Sequence, residues 1–280
     1  MSRRTLAAPV RTHGVGLHSG TEVTMTLRPA EPMAGVTFYR LDLDVEIPAS
    51  FAWVGDTRLG TFLMRDGAQV GVIEHLMAAL SGTGIDDLCI ELDGPEPPIL
   101  DGDALSYMAL IDTAGLCEQE GRRGAIHVRR PVEVRSGEAR ASLSPHKERV
   151  FAFEIDFASR VIGQQRYSFT FTEEGFREEI APARTFGFLS DLDTLLKMGL
   201  SRGASLSNTL AIDGDRLANP QLLRFADEFV RHKILDAIGD LALAGAPIYG
   251  RFEGVRSSHA LNNQLLRALF ADPENFTRED

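Results

Sequence analysis

The two halves of this chain run through a similar succession of elements, and that repetition restricts the available folds more than any other feature. In the first half, alternating apolar and polar residues mark strands at Glu22–Leu27 and Val36–Leu41. Thr57–Met64 and Ala68–Val72 flank the turn Arg65-Asp66-Gly67 as a predicted hairpin. Helical spacing follows over Glu74–Leu80, then a strand at Leu88–Leu92, a turn-rich passage from Asp93 to Gly102 and a second helix over Ala104–Ala114. In the second half, Ala125–Val134, Glu138–Leu143, Val150–Phe157 and Tyr167–Phe171 read as strands and Gly187–Met198 as a helix. The loop Gly199–Asn208, the long helix Leu223–Ala244, the strand Ile248–Phe252 and the helix Ala260–Phe270 complete it. In each half one helix carries a histidine with a glycine seven residues on, His75 with Gly82 and His232 with Gly239. Two such matches arise easily in a long chain, so alone they are a weak sign of duplication. With the order of elements they predict two similar α+β domains, with the histidine helices in equivalent places and a site where the domains face each other. The charged, apolar-poor stretch Glu118–Gly124 is the expected boundary, dividing the chain into residues 1–122 and 123–280.

Composition narrows the function classes. Of the 280 residues, 44% are hydrophobic and 25% charged, which is enough to build a core and is the balance of a soluble globular protein. The net charge of −11 repels phosphate backbones, so no nucleic-acid partner is expected. No apolar run reaches the roughly 18 residues of a membrane span, and no stable membrane insertion is expected. Met1–Ala8 holds Arg3 and Arg4 without an apolar run behind them and does not read as a signal peptide. Cys89 and Cys117 form neither a disulfide scaffold nor a zinc spacing, which fits a reducing cytoplasm.

The chemistry is carried by histidines and acids. His232 and Asp236, four apart on a helix, share one face and suit two ligands of one cation; the bland alternative is a surface ion pair. Asp240 extends the stripe, and apolar Phe229, Leu235 and Leu241 argue that it is partly buried, where an unpartnered carboxylate is costly. Glu74-His75 adds a second imidazole and a spare carboxylate. Together these make a three-ligand catalytic zinc set with an open position and a general base. His259, at the start of the last helix, is either a proton donor oriented by Asp240 or a capping-region residue without a role. His18 lies in the glycine-rich Gly14–Gly20, either close to a ligand or as an ordinary turn residue. Thr185 either steadies an oxyanion or begins a helix. The stretch from Phe188 to Ile212 reads as a cover, an apolar channel or a plain helix and loop. Lysine occurs only at Lys147, Lys197 and Lys233, which gives weight to Lys233 inside the His-x-x-x-Asp motif.

Gly14-Val15-Gly16-Leu17-His18-Ser19-Gly20, Glu74-His75-Leu76, Pro95–Gly102, Ala183–Phe188, Asp227–Asp240 (DEFVRHKILDAIGD) and His259–Asn263 together resemble the UDP-(3-O-acyl)-N-acetylglucosamine deacetylases, zinc amidases of lipid A biosynthesis. The resemblance runs from about Arg4 to Leu269. It implies two α+β domains, each a sheet packed on helices, with the helices sandwiched between the two sheets. It implies Zn2+ on His75, His232 and Asp236, Glu74 as the base, His259 as a cationic proton donor positioned by Asp240, and Thr185 on the oxyanion. Lys233 and Phe186 would bind the substrate near its diphosphate or carbonyl and its hexosamine, and Asp156 and Phe157 would face the uridine. Leu17, His18 and Leu192–Ala211 would line an acyl passage, an insert near residues 188–212. The implied enzyme is a cytoplasmic monomer acting on an acylated nucleotide sugar. An amidase of another nucleotide sugar and a non-catalytic binding protein on the same fold are the competing readings; intact Glu74 and His259 argue against the latter. Ser258 stands where the family usually has glycine. Asp87 and Asp103 stand in place of asparagine and serine, at positions expected to be peripheral.

Overall fold

In the computed structural model, which describes residues 2–279, the first half runs β1 (Ser2–Leu6), β2 (Val10–Val15), β3 (Glu22–Pro29), β4 (Val36–Arg40), β5 (Val45–Pro48), β6 (Val54–Asp56), β7 (Phe62–Arg65), β8 (Ala68–Val70), α1 (Glu74–Thr83), β9 (Leu88–Leu92) and α2 (Leu105–Ala114). The chain continues with β10 (Leu116–Arg122), β11 (Ala125–Val128), β12 (Val132–Ser136), β13 (Ala139–Ser144), β14 (Arg149–Asp156), β15 (Gln164–Thr170) and the single turn α3 (Glu173–Gly175). It closes with β16 (Phe186–Phe188), α4 (Leu189–Lys197), β17 (Leu210–Asp213), β18 (Arg216–Leu217), α5 (Glu228–Ala242), β19 (Ile248–Val255), α6 (His259–Phe270) and β20 (Phe276–Glu279).

The repetition is visible in the sheets. The first sheet has the order β2-β3-β9-β4-β5, with β9 antiparallel to β3 and parallel to β4. The second contains the series β12-β13-β19-β14-β15, with β19 antiparallel to β13 and parallel to β14. In both, the strand that follows the histidine helix returns between the second and third of the preceding four. β11 and β20 extend the second sheet. Each half also places a small three-stranded insert just before its histidine helix, β6-β7-β8 in one and β16-β17-β18 with α4 in the other.

Strands such as β9 and β19 bury alternate residues, so each sheet offers one apolar face. The helices lie against those faces and against one another, which is why α1 is buried on nearly all sides. One continuous core includes Phe38 and Leu76 from the first half and Ile238 and Phe252 from the second. The approach of α1 to α5 is set by Gly239, where a Cβ would stand 1.9 Å from the carbonyl oxygen of Glu74. On α1, a Cβ at Gly82 would fall 2.2 Å from the ring of Phe176. The glycine two turns beyond each histidine is thus a point where something packs against bare backbone.

Several expectations are revised. The expected boundary stretch Glu118–Gly124 belongs, up to Arg122, to a strand, β10, which pairs antiparallel with β1. Its low apolar content reflects an exposed ribbon with little core to face. Thr57–Met64 is a strand only from Phe62, with a loop before it. Ala125–Val134 divides into β11 and β12. The long helix starts at Glu228, because Pro220–Leu222 forms a separate turn and the Glu228 carboxylate accepts the backbone N–H of Arg224. Asp87 and Asp103 are fully buried rather than peripheral; Asp87 takes a two-point bond from Arg3, and Asp103 pairs with Arg224.

Candidate metal centre and active site

The first turn of α1 and the middle of α5 meet at three groups. His75 comes from α1, and His232 and Asp236 lie one turn apart on α5, all three buried. One ligand atom from each lies within 4.8 Å of the others. Asp236 Oδ1 is 3.3 Å from His232 Nε2 and 3.5 Å from His75 Nε2, yet it has no hydrogen-bond partner. The His232 Nδ1–H donates to the carbonyl of Ala183 at 3.1 Å, which leaves a lone pair on Nε2 facing the aspartate. Electron-rich atoms turned toward each other in a buried space fit a cation between them. Burial pushes the His232 imidazole down to about 3, so it stands neutral, as a ligand must. Burial alone would protonate Asp236, but the positive charge beside it, the Lys233 ammonium once His232 is neutral, holds the carboxyl well below the usual range. Lys233 Nζ donates to Asp236 Oδ2 at 2.6 Å, leaving Oδ1 free to face a cation.

Beside this cluster lie a second carboxylate and a third imidazole. Glu74 is 3% exposed, and its Oε1 lies 3.8 Å from His259 Nε2. The His259 Nδ1–H donates to Asp240 Oδ2 at 2.9 Å. Burial works against the imidazolium, but the Asp240 and Glu74 carboxylates prevail and raise His259 to about 9. Ser258, the departure from the expected glycine, has φ −134, an extended backbone that any residue adopts, and its hydroxyl accepts from the N–H of Leu261 as the cap of α6. The substitution therefore leaves the start of the His259 helix intact.

These groups open into a cavity of about 500 Å³. Its lining includes Thr185, Phe186, Lys233, Phe157, Leu17 and His18, together with Leu192, Leu195, Ala204, Leu206 and Ala211 from the expected passage stretch. Phe186 meets His232 edge-on at 6.2 Å and Phe157 at 5.7 Å. Thr185 is placed by its own backbone: its N–H donates to the carbonyl of Gly102 at 2.8 Å, and its carbonyl accepts from Leu210. His18 Nε2 donates to the carbonyl of Leu59, and its Nδ1 accepts from the N–H of Ser201, so it joins three loops at the wall of the cavity. Asp156 lies outside the lining, exposed at the end of β14 with its carboxylate 2.5 Å from Arg256 Nη2.

Three contributors escaped sequence reasoning. The Arg184–Glu228 ion pair, 4% and 0% exposed, ties the segment before Thr185 to the start of α5. Asn262 donates to Asp240 Oδ2 at 2.8 Å. Thr61, in the loop before β7, contacts both Glu74 and Asp240. Only Asn262 had a sequence signal, its place one turn after His259.

Nearly the whole chain also matches known proteins. Residues 3–271 match the family described as UDP-3-O-acyl N-acetylglycosamine deacetylase. Over 274 residues the chain is 50% identical to a Myxococcus xanthus (strain DK1622) protein named UDP-3-O-acyl-N-acetylglucosamine deacetylase, covering 97% of this chain and 87% of that one. A Phenylobacterium zucineum (strain HLK1) protein of the same name is 48% identical over 278 residues, covering 98% and 95%.

Proposed function

The chain belongs to the UDP-3-O-acyl N-acetylglycosamine deacetylase family, and from that premise we propose that it hydrolyses the acetamide of UDP-3-O-acyl-N-acetylglucosamine to acetate and the free amine, the committed step of lipid A biosynthesis. The observation that carries this reading is the meeting of three buried ligand atoms beside a paired base and acid in one cavity. His75, His232 and Asp236 would hold zinc. When bound, that ion supplies Lewis acidity and a water of lowered pKa.

The protein groups account for the remaining steps. Glu74 accepts the proton of the attacking water as its oxygen bonds to the acetamide carbon. The hydroxyl of Thr185 donates to the oxyanion that develops. His259, held as a cation by Asp240, gives its proton to the nitrogen as the C–N bond breaks. Lys233 and Phe186 bind the substrate at the cavity wall, the ammonium near the diphosphate or carbonyl and the ring against the hexosamine. Phe157 and Asp156 serve the uridine end, Asp156 from just outside the lining. Leu17, His18 and the stretch 188–212 receive the acyl chain, a role supported by the leucines and alanines it turns into the cavity.

The repeated sheet topology supports a division into domains of residues 1–122 and 123–280. No helix among the described residues is long and apolar enough to cross a membrane. The unpaired Cys89 and Cys117 support a reducing, cytoplasmic setting, where the chain would act as a monomer. Acetate release from acylated and unacylated UDP-N-acetylglucosamine tests the activity. Rapid release from the acylated substrate only is expected, and equal release from both would contradict the substrate assignment.

A further inference from the structure

Two buried carboxylates with opposite tasks are held by a single residue. Thr61 is 1% exposed and sits in the loop between β6 and β7. Its backbone N–H donates to Glu74 Oε2 at 3.0 Å, and its hydroxyl donates to Asp240 Oδ1 at 2.5 Å. Its carbonyl accepts from the N–H of Ile73, just before α1. The residue therefore grips the start of α1 in the first half and reaches α5 in the second.

We propose that Thr61 is a positioning residue that fixes the base and the acid of the reaction relative to each other. The amide occupies one oxygen of Glu74 and leaves Oε1, the oxygen nearer His259, free to take a proton. Gly60 keeps that oxygen unobstructed, since a Cβ there would stand 3.2 Å from it. At Asp240, the Thr61 hydroxyl fills Oδ1, while His259 and Asn262 share Oδ2. The carboxylate is thereby locked in one rotation, with a defined oxygen turned to the imidazole. Removing the hydroxyl leaves Oδ1 buried without a donor and frees the carboxylate to turn. A β-branched side chain restricts the rotamer from which the hydroxyl reaches across.

The inference rests on the roles proposed above for Glu74 and for His259 with Asp240. Its test is the steady-state kinetics of the full, zinc-loaded chain carrying Thr61→Val, with Thr61→Ser and Glu74→Gln alongside. Thr61→Val is expected to lower kcat roughly 10- to 100-fold, the range carried by a hydrogen bond to a charged group. KM and zinc content should be unchanged, and Thr61→Ser, which keeps the hydroxyl, should recover most of the turnover. Should valine not fold, Thr61→Ala makes the same deletion with a smaller side chain. A loss that falls on KM, a loss of zinc, or a Thr61→Ser as slow as Thr61→Val overturns the inference. Unchanged kcat in Thr61→Val with an inactive Glu74→Gln overturns this inference alone; if Glu74→Gln is also fully active, the assignment of the base falls with it.

Discussion

Asp240 accepts hydrogen bonds from Thr61, Asn262 and His259, and through the last of these it favours the charged form of the proposed proton donor. With His259 raised to about 9, kcat/KM should fall as the pH rises through that region. Asp240→Asn removes the nearer negative charge, so this alkaline limb should move to lower pH; an unmoved limb in the pH–rate profile would separate His259 from the titration. The same sign governs stability. A pKa raised from 6.5 contributes in full below 6.5, and the contribution is lost as the pH climbs through about 9. Glu74→Gln should keep its zinc and lose about 10²–10⁴ in kcat, the share of a general base, as read by acetate release with parallel metal analysis. The residue scale is also where the sequence is most uneven. His232 and Asp236 could be read from one helical turn, and Glu74-His75 from adjacency. Thr61 and Asp240 are 179 positions apart, and no local pattern joins them. Asp156 rests on the resemblance alone, and its partner Arg256 lies in the loop after β19, 100 positions away.

Among the elements, the crossing of α1 and α5 matters most, because it brings the proposed ligands from both halves together. Gly239→Ala would drive a methyl group into the backbone of Glu74. The expected result is a destabilisation of at least ~1–3 kcal/mol, as for an overpacked core, read as a lower thermal midpoint, together with weaker zinc retention as His75 moves away from Asp236. A variant with native stability and native zinc would show that the helices can separate without disturbing the centre. The sheet strands were legible because one buried face imposes a period of two, as in β3 and β9. Elements without a core-facing period were not. β10 lies in an exposed ribbon, and β17 and β18 form a hairpin of two residue pairs closed by Gly214-Asp215, too short to show a period. The expected strand at Thr57–Met64 hid a loop, and that loop carries Thr61.

Across the whole molecule, the two halves share a sheet plan, and each adds an insert ahead of its histidine helix. The cavity draws its lining from both inserts, Thr57 and Leu59 from the first and Phe186 to Ala211 from the second. A repeated element order was visible in the sequence, but the matching strand order was not, since β9 and β19 insert between strands far earlier in the chain. The buried Arg184–Glu228 pair holds the second insert to α5. Glu228→Gln should therefore destabilise the fold by about 3–5 kcal/mol, the cost of leaving a buried arginine without its countercharge, as measured by denaturant unfolding. An unchanged midpoint would remove the pair from the architecture of the site.

In the proposed enzyme one divalent ion bridges the two halves. Anomalous diffraction recorded on either side of the zinc absorption edge, from crystals of the purified chain, tests it most directly. A single zinc peak enclosed by His75 Nε2, His232 Nε2 and the Oδ1 atom of Asp236 is expected. A peak bound by other residues, or no peak between these three in zinc-replete crystals, would contradict it.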